Sequence, residues 1–145
     1  MNIFNTQNIK LDSEVGSLKE AIVTVGKLLA DNGYVDVGYI DAMIEREGVI
    51  STYVGNGVAV PHGVAGSGHL IKQSGISLIR VPAGIKWNED GDVAQIIIGI
   101  AGKDGTHIDI LSKIAMVCSD EDNIEKLMKA DSAEEIVRIF EEYEE

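Results

Sequence analysis

The sequence predicts an α/β (α+β) fold, a single mixed β-sheet flanked by helices on both sides. Amphipathic helical stripes occupy the early and late parts of the chain. Short β-branched runs bounded by Gly, Pro or charged loops fill the middle, and the two kinds of segment alternate early on, as in helices layered against a sheet. At 145 residues, one domain spanning 1–145 is expected, able to bury ~68–70% of its unfolded surface without disulfides or metals.

The elements follow in order. "SLKEAIVTVGKLLADNG" opens with a capping box, Ser17 answered by Glu20, and places Leu18, Ala21, Ile22, Val25, Leu28 and Leu29 on one stripe; the helix is expected to end near Gly33. "DVGYIDAMIEREG" repeats the scheme with Asp36 as cap, Tyr39, Ile40, Met43 and Ile44 as the stripe, Arg46 in the last turn and Gly48 just past the end. "GVAV", "GISLIRV" and "VAQIIIGIA" read as partly or fully buried strands. "THIDILSKIAMVCSD" returns to helical spacing through Ile108, Leu111, Ile114, Ala115 and Cys118, with His107 in the first turn. Two further helices are expected from "EDNIEKLMKA" and "SAEEIVRIFEEYEE", the second capped by Ser132 and Glu135, and Glu141 to Glu145 read as a solvated acidic end.

Composition excludes several functions. A formal net charge of −12 repels a phosphate backbone, so no nucleic-acid partner is expected. The apolar runs fall short of the ~20 residues that span a bilayer, and no basic-then-apolar leader is visible, so no direct membrane insertion is expected. With Cys118 as the one cysteine, no intramolecular disulfide forms, which fits a reducing, cytoplasmic location.

Spelling excludes more. No Gly-Lys-Ser or Gly-Lys-Thr occurs, "GSG" lacks the hydrolase-elbow context, and Val60 stands where the third glycine of a dinucleotide fingerprint would follow Gly55 and Gly57. His62, His69, His107 and Cys118 lack finger-type or H-E-x-x-H spacing, so neither a metal nor a cofactor is expected.

The informative stretch is "STYVGNGVAVPHG". Pro61 lacks an N–H and pushes Val60 toward an extended conformation, so "VAV" should stop just before His62, leaving the ring at a strand end among small residues. A neutral imidazole is nucleophilic near pH 7 and can also leave, which suits transient phosphorylation. A phosphorylated ring needs cationic or donor groups nearby, and Arg46 and His107 are the candidates, the latter bringing helix-terminus amides. The alternatives are a hydrogen-bonded structural His62, an Arg46 that favours a helix C-terminus, and a His107 that decorates a cap. His69 is expected on a surface loop.

With Arg46 in "MIEREG" sixteen residues before His62, and "IIIGIAGKDGTHIDILSKIA" downstream, the chain resembles the cytoplasmic IIA domain of the bacterial sugar phosphotransferase system, in its mannitol and fructose superfamily. The likeness covers almost the whole chain, and the last segment favours the mannitol branch. The resemblance implies a phosphocarrier: His62 would accept a phosphoryl group from the phosphocarrier protein HPr and pass it to a cysteine on the IIB domain of a transporter for mannitol or a related hexitol or fructose. His107 would assist beside the ring and Arg46 would organise the phosphate. It also implies a mixed sheet flanked by helices. A second expectation, from another class, is a regulatory paralogue of the nitrogen-related type that signals through its phosphorylation state.

Overall fold

The computed structural model describes residues 4–142, so residues 143–145 of the acidic end lie outside the described residues. In chain order the elements are β1 (Ile9–Lys10), α1 (Leu18–Asp31), α2 (Tyr39–Val49), β2 (Tyr53–Gly55), β3 (Val58–Ala59), β4 (Gly75–Lys86), β5 (Val93–Ala101), α3 (His107–Cys118), α4 (Glu121–Lys129) and α5 (Ala133–Glu142). The strands form one sheet in the order β1-β4-β5-β3-β2. β1 with β4 and β3 with β5 are parallel, whereas β2 with β3 and β4 with β5 are antiparallel, so the sheet is mixed as expected.

Successive strand residues point to opposite faces, and here both faces are covered. Val25 and Leu29 of α1 and Met43 of α2 pack with Ile79 and Ile97 on one face. Ile114, Leu127 and Ile136, from α3, α4 and α5, pack with Leu78, Ile98 and Ile100 on the other. That is why "IIIGI" is continuously apolar: its isoleucines are buried against two helix layers.

The α1 capping box forms, Ser17 Oγ accepting from Glu20 N at 3.2 Å, while the Glu20 carboxylate accepts from Gly16 N. In α2 the expected boundaries shift. Asp36 is not the cap residue; its carboxylate accepts from Gly38 N at 2.9 Å and its carbonyl from Tyr39 N, a turn that delivers the chain to Gly38 at the cap position. Gly48 lies inside the helix rather than beyond it, because it is not left-handed and so forms no terminating cap.

Helix α3 also differs. Its core face is Ile110, Ile114, Val117 and Cys118, while Ile108 and Ala115 face outward. Of the expected stripe, Leu111, Ile114 and Cys118 meet the core beside β5 and α4, and only Ile108 and Ala115 do not. Strand β4 runs on through Pro82 to Lys86, beyond the expected "GISLIRV". The pairing shifts register between Arg80 and Ile85, the kind of irregularity in which a proline is tolerated within a sheet.

Arg80 points into the face shared with α4 and is 6% exposed. Its Nη1 donates to the carbonyls of Leu127 and Ala130 at 3.0 and 2.7 Å, and its Nη2 pairs with Asp12 at 3.0 Å. A cation thus satisfies the C-terminal carbonyls of α4 that have no helical partner.

Candidate functional site

Strands β3 and β5 run parallel, and their carboxyl ends open onto one side of the sheet. Beyond β3 the chain stays extended through Val60 and Pro61, as the proline requires, and His62 pairs with Ile100 in an isolated parallel bridge. Ile100 N donates to the Pro61 carbonyl at 3.0 Å. Beyond β5 the chain turns through Gly102 to Gly105 and enters α3 at His107. The last turn of α2 supplies Arg46. Edges of parallel strands at such a junction are where α/β sheets commonly bind ligands.

These three residues, far apart in sequence, line one cleft of about 570 Å³ with Tyr39, Gly63 and Gly102. Arg46 Nη1 donates to the Ile50 carbonyl at 2.8 Å, which fixes part of a long side chain that would otherwise lose rotamer freedom on meeting an anion. The next residue, Glu47, anchors the same segment: its carboxylate accepts from Thr52 N at 2.8 Å, Thr52 Oγ1 at 2.6 Å and Trp87 Nε1 at 2.9 Å.

The orientation of His62 is set by its own backbone. Nδ1 lies 2.8 Å from the Val60 carbonyl oxygen. A carbonyl only accepts, so Nδ1 carries the proton in the neutral ring and Nε2 keeps the available lone pair. Burial holds the pKa of His62 below its ordinary 6.5; the Val60 bond opposes this, the nearby Arg46 and His107 lower it further, and Glu47 raises it. The ring is therefore neutral and nucleophilic at pH 7.

The folded ring binds its proton less readily than the unfolded one, so the stability contributed by this group is present above 6.5 and is lost as pH falls through the depressed folded value. In an NMR titration the His62 imidazole is expected to show a midpoint below 6.5. A midpoint above it would contradict a ring kept neutral by burial.

His107 is held by close packing. A Cβ on Gly102 would collide with the His107 Cα and N, so only glycine fits where the end of β5 passes the start of α3. Placement at the first residue of α3 puts His107 beside helix-terminal N–H groups and the positive end of the helix dipole.

The remaining histidine and the cysteine lie elsewhere. His69 is exposed, with Nδ1 3.2 Å from the Gly66 carbonyl. Cys118 is buried in the core, and its thiol pKa is pushed up from 9.0 to about 12 by burial, so it is inert as a nucleophile. Asn56, left-handed at φ 54°, donates to the Cys118 carbonyl at 3.0 Å and fixes the β2–β3 turn. Among the described residues, no group of three or more His, Cys, Asp or Glu could hold a metal ion, and no helix is long and apolar enough to cross a membrane.

Sequence reasoning assigned Tyr39 only to a hydrophobic stripe and passed over Glu47 and Gly102. The signal for Gly102 was present, as a glycine between a buried strand and a helix. The signal for Tyr39 was a hydroxyl on a core position, which needs a partner.

Known proteins share this fold. A mannitol-specific phosphotransferase enzyme IIA component from Staphylococcus aureus strain Mu50 is 47% identical over 140 residues, covering 97% of this chain and 96% of the relative. Among solved structures, the complex of enzyme IIAMTL and phosphorylated enzyme IIBMTL from Escherichia coli superposes with a TM-score of 0.90 at 30% identity, covering 95% of this chain and 98% of that one. Nitrogen regulatory protein IIA-Ntr from Neisseria meningitidis superposes at 0.81 with 32% identity, covering 95% and 96%. The family model for the phosphoenolpyruvate-dependent sugar phosphotransferase system, EIIA 2, matches residues 2–143, and the chain belongs to that family.

Proposed function

We propose that this chain is the phosphocarrier of a mannitol uptake system, accepting a phosphoryl group from phosphorylated HPr on Nε2 of His62 and passing it to a cysteine of a IIB partner. The observation that carries this reading is the His62 ring itself. Its Nδ1 is committed to the Val60 carbonyl, its pKa is lowered by burial, and it faces a cleft shared with Arg46 and His107.

In the first step the Nε2 lone pair attacks phosphorus, the P–N bond of the donor breaks, and the donor imidazole keeps the electron pair. In the second, a IIB thiolate attacks phosphorus and the P–N bond to His62 breaks, returning the pair to Nε2. The Nδ1 proton stays hydrogen-bonded to the Val60 carbonyl throughout, so the leaving imidazole is neutral. Such transfers depend on positioning and on stabilising charge over the equatorial oxygens, a task that falls to the Arg46 guanidinium and to His107.

Incubation with phosphoenolpyruvate, enzyme I and HPr should place an acid-labile phosphate on the protein, and adding mannitol-type IIB should remove it. A protein that stays unlabelled sinks the reading. Support for the regulatory alternative is the likeness to the neisserial nitrogen regulatory protein, but the relative at 47% identity carries a mannitol-specific name, which favours sugar transport. Labelling that no IIB can discharge would reverse that preference.

A further inference from the structure

The Tyr39 hydroxyl has no role in the chemistry above, yet it is placed at the join between the two strands that frame His62. It is buried, with the residue 2% exposed. It donates to the Ile100 carbonyl at 2.9 Å and accepts from Gly63 N at 2.8 Å. Ile100 is the residue that pairs with His62, and its own N–H already bonds Pro61. A continuing parallel ladder would join the Gly63 N–H and the Ile100 carbonyl directly. Instead the phenol is inserted between them.

The main chain on either side of His62 is consequently fixed by different means. Before it, Pro61 is held by Ile100 N; after it, Gly63 is held through Tyr39, and Val64 N donates to the Ala42 carbonyl of α2 at 3.1 Å. The Tyr39 ring also explains Gly63, because a Cβ there would run into the ring and into Ser67 Oγ. Tyr39 and Arg46 stand seven residues apart on α2, two turns along one helical face, and both line the cleft. One rigid helix therefore carries the cation and the clamp on the histidine's backbone.

We propose that Tyr39 is a positioning residue for phosphoryl transfer, its hydroxyl setting where the His62 imidazole stands relative to Arg46. This rests on the phosphocarrier reading. Burial raises the Tyr39 pKa, so the hydroxyl stays protonated and remains a donor at physiological pH.

Tyr39→Phe keeps the ring and removes the hydroxyl. With phosphorylated HPr as donor, kcat for labelling is expected to fall about tenfold, as misplaced reacting groups do, while KM for HPr changes little. The His62 ring resonances should shift in the same variant, measured well below its Tm. In wild type, the Tyr39 hydroxyl proton should exchange slowly and show a cross-peak to the Gly63 amide, a check that does not require the variant to fold.

A Tyr39→Phe protein with lowered Tm but wild-type kcat and unmoved His62 resonances would show a structural role only and overturn the proposal. So would the absence of the wild-type hydroxyl cross-peak. Failure of wild type to accept phosphate is a different result, which refutes the phosphocarrier reading itself.

Discussion

Replacing His62 with Gln is expected to abolish phosphoryl acceptance, by ~10⁴-fold or more, the order of loss when a covalent nucleophile is removed. The fold should survive. The ring is only partly buried, at the end of a strand, and the contact that Gln removes is the hydrogen bond from Nδ1 to the Val60 carbonyl. Losing such a bond outright costs ~0.5–1.5 kcal/mol, a few degrees of Tm for a domain of this size. The assay is phosphate incorporation from phosphorylated HPr, read beside a thermal melt. Undiminished labelling of a folded His62→Gln protein would mean that another residue is the acceptor, and neither buried Cys118 nor exposed His69 has the surroundings for it.

His107→Ala is expected to have the second largest effect, and on a different step. The tautomer that leaves the Nε2 lone pair free is set by the Val60 carbonyl and not by His107, so acceptance should continue. The phosphorylated state is different, because it brings the charge of a phosphoryl group into the cleft, and His107 at the head of α3 is one of two side chains assigned to hold that charge during the onward step. Loss of a single such donor typically slows catalysis by ~10²–10³-fold. Phosphate should therefore accumulate on the variant and leave slowly when IIB is added. Wild-type discharge would remove His107 from the mechanism. Gly102→Ala offers an independent route to the same defect, since its Cβ would displace His107 without altering the imidazole.

Most of the architecture could be read from periodicity, and the departures have identifiable physical causes. The long apolar strand β5 and helices α1, α4 and α5 announce themselves, because their patterns or caps are local: Ser17 with Glu20, and Ser132 Oγ accepting from Glu135 N. Strands β1 and β2, two and three residues long, carry no period at all and exist because β4 and β3 pair with them. On α3 periodicity places Ile114 and Cys118 correctly but not Ile108, which the fold leaves 62% exposed.

The site divides in the same way. Its three candidate residues were suggested by the spelling around Pro61, the "MIEREG" helix end and the glycine-rich turn before His107, and the fold brings all three to one cleft. What could not be read is how they are held. The choice between the two nitrogens of His62 depends on a carbonyl two residues back, and the clamp on Gly63 comes from a tyrosine 24 residues away. Both are consequences of tertiary geometry rather than of any local pattern.

The most direct test of the central claim is the site of the P–N bond in the phosphorylated wild-type protein, read from phosphorus–nitrogen coupling in a ¹⁵N-labelled sample. Coupling to Nε2 of His62 is expected, with Nδ1 still protonated and bonded to the Val60 carbonyl. Coupling to Nδ1, or phosphate on any other residue, would contradict the claim.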